Sequence, residues 1–251
     1  MKIIKNIYFS LLVVFLTCNF SYGESLKFNG NSSIAYIDSI PKSEEGEFGV
    51  GWKRAVFVGV DGSRIDLFPM EKLSPNGGVL FSDPADALIS PSGRFAVFYI
   101  VRAGRLSNAG AEGGETITSR QYCPVIDTKS GCIVSNLSGG ICGGRWDAKE
   151  DLWRVGERSD VLDDTKAMAG GALQSVKEIW ESFLEIRARN KGFKLSEIIV
   201  SKLGVPNILA CEPPSPGNES EYNSISSQLR SEGDLASVEY IKSKFIRLNK
   251  D

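Results

Sequence analysis

The chain has 251 residues, 42% of them hydrophobic and 24% charged, which is the balance of a globular protein rather than a disordered one. A net charge of −2 projects no long-range field, and no basic run is interleaved with aromatics, so the composition argues against nucleic acid or an anionic membrane surface as a partner. The chain has no histidine, which excludes every Ser-His-Asp or Cys-His triad and every imidazole-ligated metal.

The first element is a secretory signal in form: Lys2 and Lys5, a mostly apolar run from Ile7 to Phe20, then Ser21-Tyr22-Gly23 before a cut. The run is too short, and its far flank too poor in charge, for a retained membrane span. Cys18 offers a rival reading as a lipidated cysteine, although Thr17 fits that processing site badly. The expectation is a periplasmic or secreted protein of about 228 residues, enough for one domain or a domain with an appended lobe.

Residues Glu24 to Val50 are polar apart from Ile34 to Ile40, with Asn31-Ser32-Ser33 and Lys42 to Glu47 read as loops. A hairpin follows. Arg54 to Val60 is β-branched and aromatic, Asp61-Gly62 is a type I′ turn pair, and Ser63 to Phe68 alternates polar and apolar. Pro75-Asn76-Gly77-Gly78 is a second turn, and Gly78 to Phe81 a short strand. Further strands are expected at Ala87-Leu88-Ile89, Phe95 to Val101, Gln121 to Ile126 and Cys132-Ile133-Val134, then around Trp146 and Trp153.

The stretch Ile89-Ser90-Pro91-Ser92-Gly93-Arg94-Phe95-Ala96-Val97-Phe98 resembles the core of TolB-type and WD-type β-propeller blades, with Ser92 at the usual acidic turn position. Val125 to Gly131 resembles a later blade strand and its turn, and Gly144-Arg145-Trp146-Asp147 the opening of the next blade. The strand-rich part has room for three blades at most, whereas a closed propeller needs four. The resemblance therefore implies an incomplete propeller or a β-sandwich with blade-like hairpins.

After Trp153 the pattern turns helical. Val176, Ile179, Trp180, Phe183 and Leu184 recur at helical spacing between Asp164 and Asn190, with Gly192 as a C-cap glycine. A shorter helix is expected over Ser196 to Leu203, ended by Gly204 and Pro206. Cys211 to Asn218 reads as a proline-rich loop. Asp234 then caps a helix whose Leu235, Val238, Ile241, Phe245 and Leu248 share a face. The expected organisation is a signal peptide at 1–23, an antiparallel β domain at 24–158 and a helical region at 159–251, an α+β class.

Removing the signal leaves four cysteines in an oxidising compartment, so two disulfides are the default. The favoured pairing is Cys132 with Cys142, closing a turn-rich loop, and Cys123 with Cys211, tying the C-terminal region to the core. A zinc site is disfavoured by the spacings and the lack of histidine. No cofactor or metal is implied.

Acidic clusters at Asp83/Asp86, Asp147/Glu150/Asp151 and Asp160/Asp163/Asp164 would be needed by a carboxylate-dependent glycan hydrolase. Lys149 speaks against calcium at Asp147 to Asp151. Asn31, Asn136 and Asn218 begin N-x-Ser sequons, which matter only if the source is eukaryotic. The glycine-rich loop Gly104 to Gly114 lacks a phosphate-loop ending and reads instead as a contact surface between two strands. Its Arg105, Asn108, Glu112 and Glu115, together with Trp146, are the candidate partner-binding residues. The expectation is an exported, non-enzymatic protein that binds a toxin or envelope protein, most concretely a periplasmic immunity protein. The alternatives are the hydrolase and an envelope-assembly accessory domain.

Overall fold

The computed structural model describes residues 23–107, 115–156 and 175–248. The expected signal segment, apart from Gly23, and the acids Asp160, Asp163 and Asp164 lie outside them. So do Asn108 and Glu112.

The N-terminal part is one curled antiparallel sheet of ten strands. These are β1 (Ser25–Lys27), β2 (Ser33–Ser39), β3 (Trp52–Val58), β4 (Arg64–Asp66), β5 (Gly77–Phe81), β6 (Leu88–Ile89), β7 (Phe95–Val97), β8 (Ile100–Ser107), β9 (Glu115–Asp127) and β10 (Ile133–Ser138). The order is β1-β2-β3-β5-β8-β9-β7-β6, with β4 also on β3 and β10 also on β9. A separate ribbon pairs β11 (Arg145–Trp146) with β12 (Trp153–Arg154). The inward residues form a core of Ile34, Phe57, Phe81, Phe98, Ile100 and Ile126, each nearly inaccessible. Burying a phenylalanine of this kind contributes about 2–3 kcal/mol. Phe81 and Phe98 stack with centroids 6.4 Å apart.

The blade-like stretch is the β6–β7 hairpin of this sheet. Gly93 sits at φ 73° and donates its N–H to the Ser90 carbonyl. Ser90 Oγ accepts from the Phe95 N–H, and Thr128 Oγ1 donates to the Gly93 carbonyl at 2.7 Å. The β3–β4 hairpin departs from the expected I′ turn. Its turn runs from Gly59 to Gly62, and only Gly62 has positive φ (75°), so Val60 and Asp61 occupy the centre and Gly62 forms a bulge.

Lys42 to Glu47, expected as loop, lies in helix α1 (Lys42–Phe48). The helix buries no residue, so it lacks the apolar periodicity that sequence reading depends on; Glu44 and Glu45 in the first turn complement its dipole.

The C-terminal part is a layer of five helices among the described residues: α2 (Val176–Arg189), α3 (Leu195–Ser201), α4 (Val205–Cys211), α5 (Glu219–Glu232) and α6 (Leu235–Leu248). Ser175 and Glu178 form the capping box that starts α2. Gly192 does not cap this helix. Asn190 is its C-cap residue, in extended conformation, and its Oδ1 accepts from the Gly192 N–H. Leu203 and Gly204 carry the positive φ values, 65° and 91°, that end α3, but Pro206 opens α4 rather than closing α3. Asp234 caps α6 as expected, accepting from the Ser237 N–H at 3.1 Å. Neither α4 nor α5 was expected. Together the helices bury a second core that includes Phe183, Leu195, Tyr222, Leu229, Val238 and Ile241.

Helix α4 joins the two cores: Val205, Ile208 and Leu209 belong to the helical one and Ala210 to that of the sheet. Asn207 on α4 bonds the Ile133 backbone, and Cys211 at its end is bridged to Cys132. The second bridge joins Cys123 to Cys142, so the expected pairing is corrected in both bonds. Cys132 and Cys142 sit at opposite ends of the extended β10, about 20 Å of strand at 3.3 Å per residue. Cys123 lies opposite Leu137, and the 3-10 turn Gly139–Gly143 folds Cys142 back onto it. The C-terminal region is tied to the sheet, as anticipated, but through Cys132. Among the described residues no helix is long and apolar enough to cross a membrane.

Candidate functional site

Of the expected contact loop the structure describes Gly104 to Ser107, which with Glu115 form the outer described end of the β8–β9 hairpin. Eight residue pairs hold it, from Ile100 opposite Tyr122 to Ser107 opposite Glu115. On the other side of β8, β5 ends where Gly77 faces Gly104. Gly77 has φ 115°, and a Cβ there would collide with the Ala103 carbonyl, so the close approach requires glycine. Beyond Gly104 the hairpin continues as a two-stranded arm.

Arg105 props this arm. Its Nε donates to the Pro75 carbonyl at 2.6 Å, one Nη meets Glu115 at 3.4 Å, and the other donates to Glu47 on α1. One guanidinium thus ties both hairpin strands to the β4–β5 connection and to α1. Between α1 and the hairpin lies an open groove of about 710 Å³, lined by Phe48, Ala103, Arg105, Glu115, Ile117 and Ser119 among others. On the opposite face Leu106 is 55% exposed, and Thr116, Thr118 and Arg120 are exposed with it. Sequence reading found Arg105 and Glu115 through the loop they flank. It missed Glu47, whose helix lacks an apolar stripe.

Trp146 does not join them. Its ring packs edge-to-face on buried Trp153 at 5.3 Å, and its Nε1 donates to the Leu88 carbonyl at 2.9 Å. Leu88 pairs with Val97, and Val97 with Val125, ten positions along β9 from Glu115. That separation is about 33 Å of strand. The role of Trp146 is to seat the β11–β12 ribbon on β6.

No family model, curated protein or solved structure matches the chain.

Among the described acidic residues, Asp83, Asp147 and Asp151 hold turns. Asp83 accepts from the Ala85 N–H at 2.8 Å. Asp147 accepts from the Lys149 N–H at 2.9 Å and from Arg154 Nε at 2.7 Å, and these bonds keep its carboxyl below the usual aspartate range. Asp151 accepts from both the N–H and the hydroxyl of Ser92, clamping the β6–β7 turn. Partial burial pushes the Asp151 carboxyl up, but the Ser92 bonds outweigh it and the net shift is downward. Among the described residues no three His, Cys, Asp or Glu side chains converge on a metal position. Two sequon asparagines are structural: Asn218 is buried and bonded to Ser215, Glu212 and Pro213, and Asn136 accepts from Arg102.

A second opening, of about 370 Å³, lies between the two layers, where Ile65 on β4 and Lys129 in the β9–β10 turn face Pro206, Leu209 and Tyr240 from the helices.

Proposed function

We propose that the chain is an exported, non-enzymatic protein that binds and blocks another protein, most concretely a periplasmic immunity protein against an antibacterial toxin. The observation that carries this reading is the propped β8–β9 arm, a two-stranded projection held by Arg105 with an open groove beneath it. Rigid scaffolds present such arms to partners, since preorganisation reduces the entropy lost on binding. Two disulfides suit an oxidising compartment. The β6–β7 hairpin, whose sequence is similar to TolB-type blades, supports the same reading by adding a stiff turn to the scaffold. The hydrolase reading gains nothing from Asp83, Asp147 and Asp151, because each is occupied by backbone or arginine partners.

The test is a competition assay. A deletion strain should become sensitive to its siblings, and a plasmid copy should restore protection. Unchanged sensitivity, together with no protein partner cross-linked to the exported chain, sinks the proposal.

A further inference from the structure

Every sheet must manage its edges, because a row of unpaired N–H and C=O groups recruits another strand. Most edges here are blunted. β1 has three residues and β6 two. β10 carries a register break between Ile133 and Ser135, and its Ile133 backbone is filled by Asn207. The outer side of β9 differs. β10 covers it only from Tyr122 to Ile126, so residues 115–121 have no strand beside them among the described residues. That stretch, Glu-Thr-Ile-Thr-Ser-Arg-Gln, contains no proline or lysine, and its pairing with β8 is unbroken. Among the described residues it is an unprotected edge of seven residues, about 24 Å long at 3.4 Å per residue.

Phe98 N–H donates to the Pro124 carbonyl, so the pairs of that parity are the hydrogen-bonded ones. These include Arg102 with Arg120 and Gly104 with Thr118. Arg105 N–H points away from β9 and donates to the Asn76 carbonyl, as a non-bonded pair with Ile117 requires. The groups aimed outward therefore belong to Glu115, Ile117, Ser119 and Gln121. The side chains of Glu115, Ile117 and Ser119 line the α1 groove.

Resting on the protein-binding reading, we infer that this edge receives an extended strand of a foreign protein by β-augmentation. Its alternate side chains would enter the α1 groove. Charge sets the orientation. Arg120, which lies over the Tyr122 ring at 5.8 Å, has no carboxylate partner among the described residues, and Glu115 at the other end is 59% exposed. An antiparallel guest places an acid opposite Arg120 and a base opposite Glu115, with β-branched residues between. A second copy of this chain lacks that match. Antiparallel self-pairing of the outward amides about Thr118 sets Arg120 against Thr116 and Glu115 against Gln121.

The probe is the capped heptapeptide Thr-Asp-Val-Thr-Val-Thr-Lys, added to the full chain and read by residue-resolved hydrogen exchange. The amides of Glu115, Ile117, Ser119 and Gln121 should exchange freely without it and slow by about tenfold or more with it. N-methylation of both valines, whose N–H groups face the edge, should abolish protection, whereas N-methylation of the central threonine should not. Ser119→Pro removes one outward donor without touching the β8 ladder and should lose the peptide while keeping the fold. The N-methyl peptides serve equally if that variant fails to fold. Free-state protection of these amides, protection that depends on protein concentration alone, or indifference to valine methylation overturns the assignment. A cross-linked partner that binds Ser119→Pro as it does the wild type overturns the edge while leaving the protein-binding reading standing.

Discussion

The side chain of Asn207 completes the backbone of Ile133 in both directions. Its Oδ1 accepts from the Ile133 N–H at 2.8 Å, and its Nδ2 donates to the Ile133 carbonyl at 3.3 Å and the Lys202 carbonyl at 3.2 Å. A helix residue thus acts as one more residue of the sheet. Asn207→Leu leaves a buried donor and acceptor of Ile133 unsatisfied, and should cost about 2–4 kcal/mol in urea unfolding. Asn207→Asp keeps the acceptor but sets a second oxygen against two carbonyls, so it should also destabilise. A loss under about 0.5 kcal/mol for Asn207→Leu would show that water replaces the pin.

The same junction carries the bridge Cys132–Cys211, which spans 79 residues, against 19 for Cys123–Cys142. In the loop-entropy picture, removing the longer bridge costs about 4.5 kcal/mol and the shorter about 3. Cys132→Ser/Cys211→Ser should therefore lower the unfolding midpoint more than Cys123→Ser/Cys142→Ser. Peptide mapping of the non-reduced protein should recover these two linkages. A Cys132–Cys142 fragment would refute the register described for β10.

Acid should destabilise the protein through two carboxylates, Asp151 at the β6–β7 turn and Glu232 at the N-terminus of α3. Burial raises Asp151, but the Ser92 bonds prevail and the carboxyl sits below its ordinary 3.8. Burial likewise raises Glu232, but bonds from Gln228 and from the Ser196 and Leu195 N–H groups bring it below 4.5. A folded-state pKa below the unfolded one gives stability that is present above the unfolded value and lost as pH falls through the folded one. The loss should begin near 4.5 for Glu232 and near 3.8 for Asp151, and continue below. Asp151→Asn should lower stability at neutral pH and flatten the acid limb of the midpoint against pH. Parallel curves for variant and wild type would remove Asp151 from that limb.

The strands were legible in the sequence because their faces alternate and their turns carry glycine, as at Gly62, Gly93 and Gly131. Helix α2 was legible through Val176, Ile179 and Phe183. The two missed helices differ: in α5 Tyr222, Ile225 and Leu229 repeat the i, i+3, i+7 spacing of α2, but thinly among serines and charges, whereas α4 is seven residues with a proline in its first turn. Both are fixed by tertiary partners, since Glu212 at the end of α4 accepts from the Tyr222 hydroxyl through its carbonyl and from the Val176 N–H through its carboxylate. The disulfides were misassigned because pairing depends on how far β10 runs before it turns, which spacing alone does not reveal. At the candidate site, Arg105 and Glu115 were found through their loop. The open β9 edge needed the strand register.

Arg105 supplies the last prediction, because its bonds to Glu47, Glu115 and the Pro75 carbonyl all lie outside both hydrophobic cores. Exposed ion pairs contribute about 0–1 kcal/mol, so Arg105→Ala should leave the global unfolding midpoint almost unchanged. Its effect should be local. The arm loses its tether to α1 and to the β4–β5 connection, so the hydrogen-bonded amides of Arg105, Leu106 and Thr116 should exchange faster while those of Ile100 and Val125 hold their protection. Arg105→Lys keeps the charge but cannot reach three acceptors with one rigid fork, and should fall between the two. If the arm's role is to meet a partner already ordered, the heptapeptide should bind Arg105→Ala more weakly. A variant with unaltered exchange in the arm would instead show that the β8–β9 ladder alone keeps it rigid.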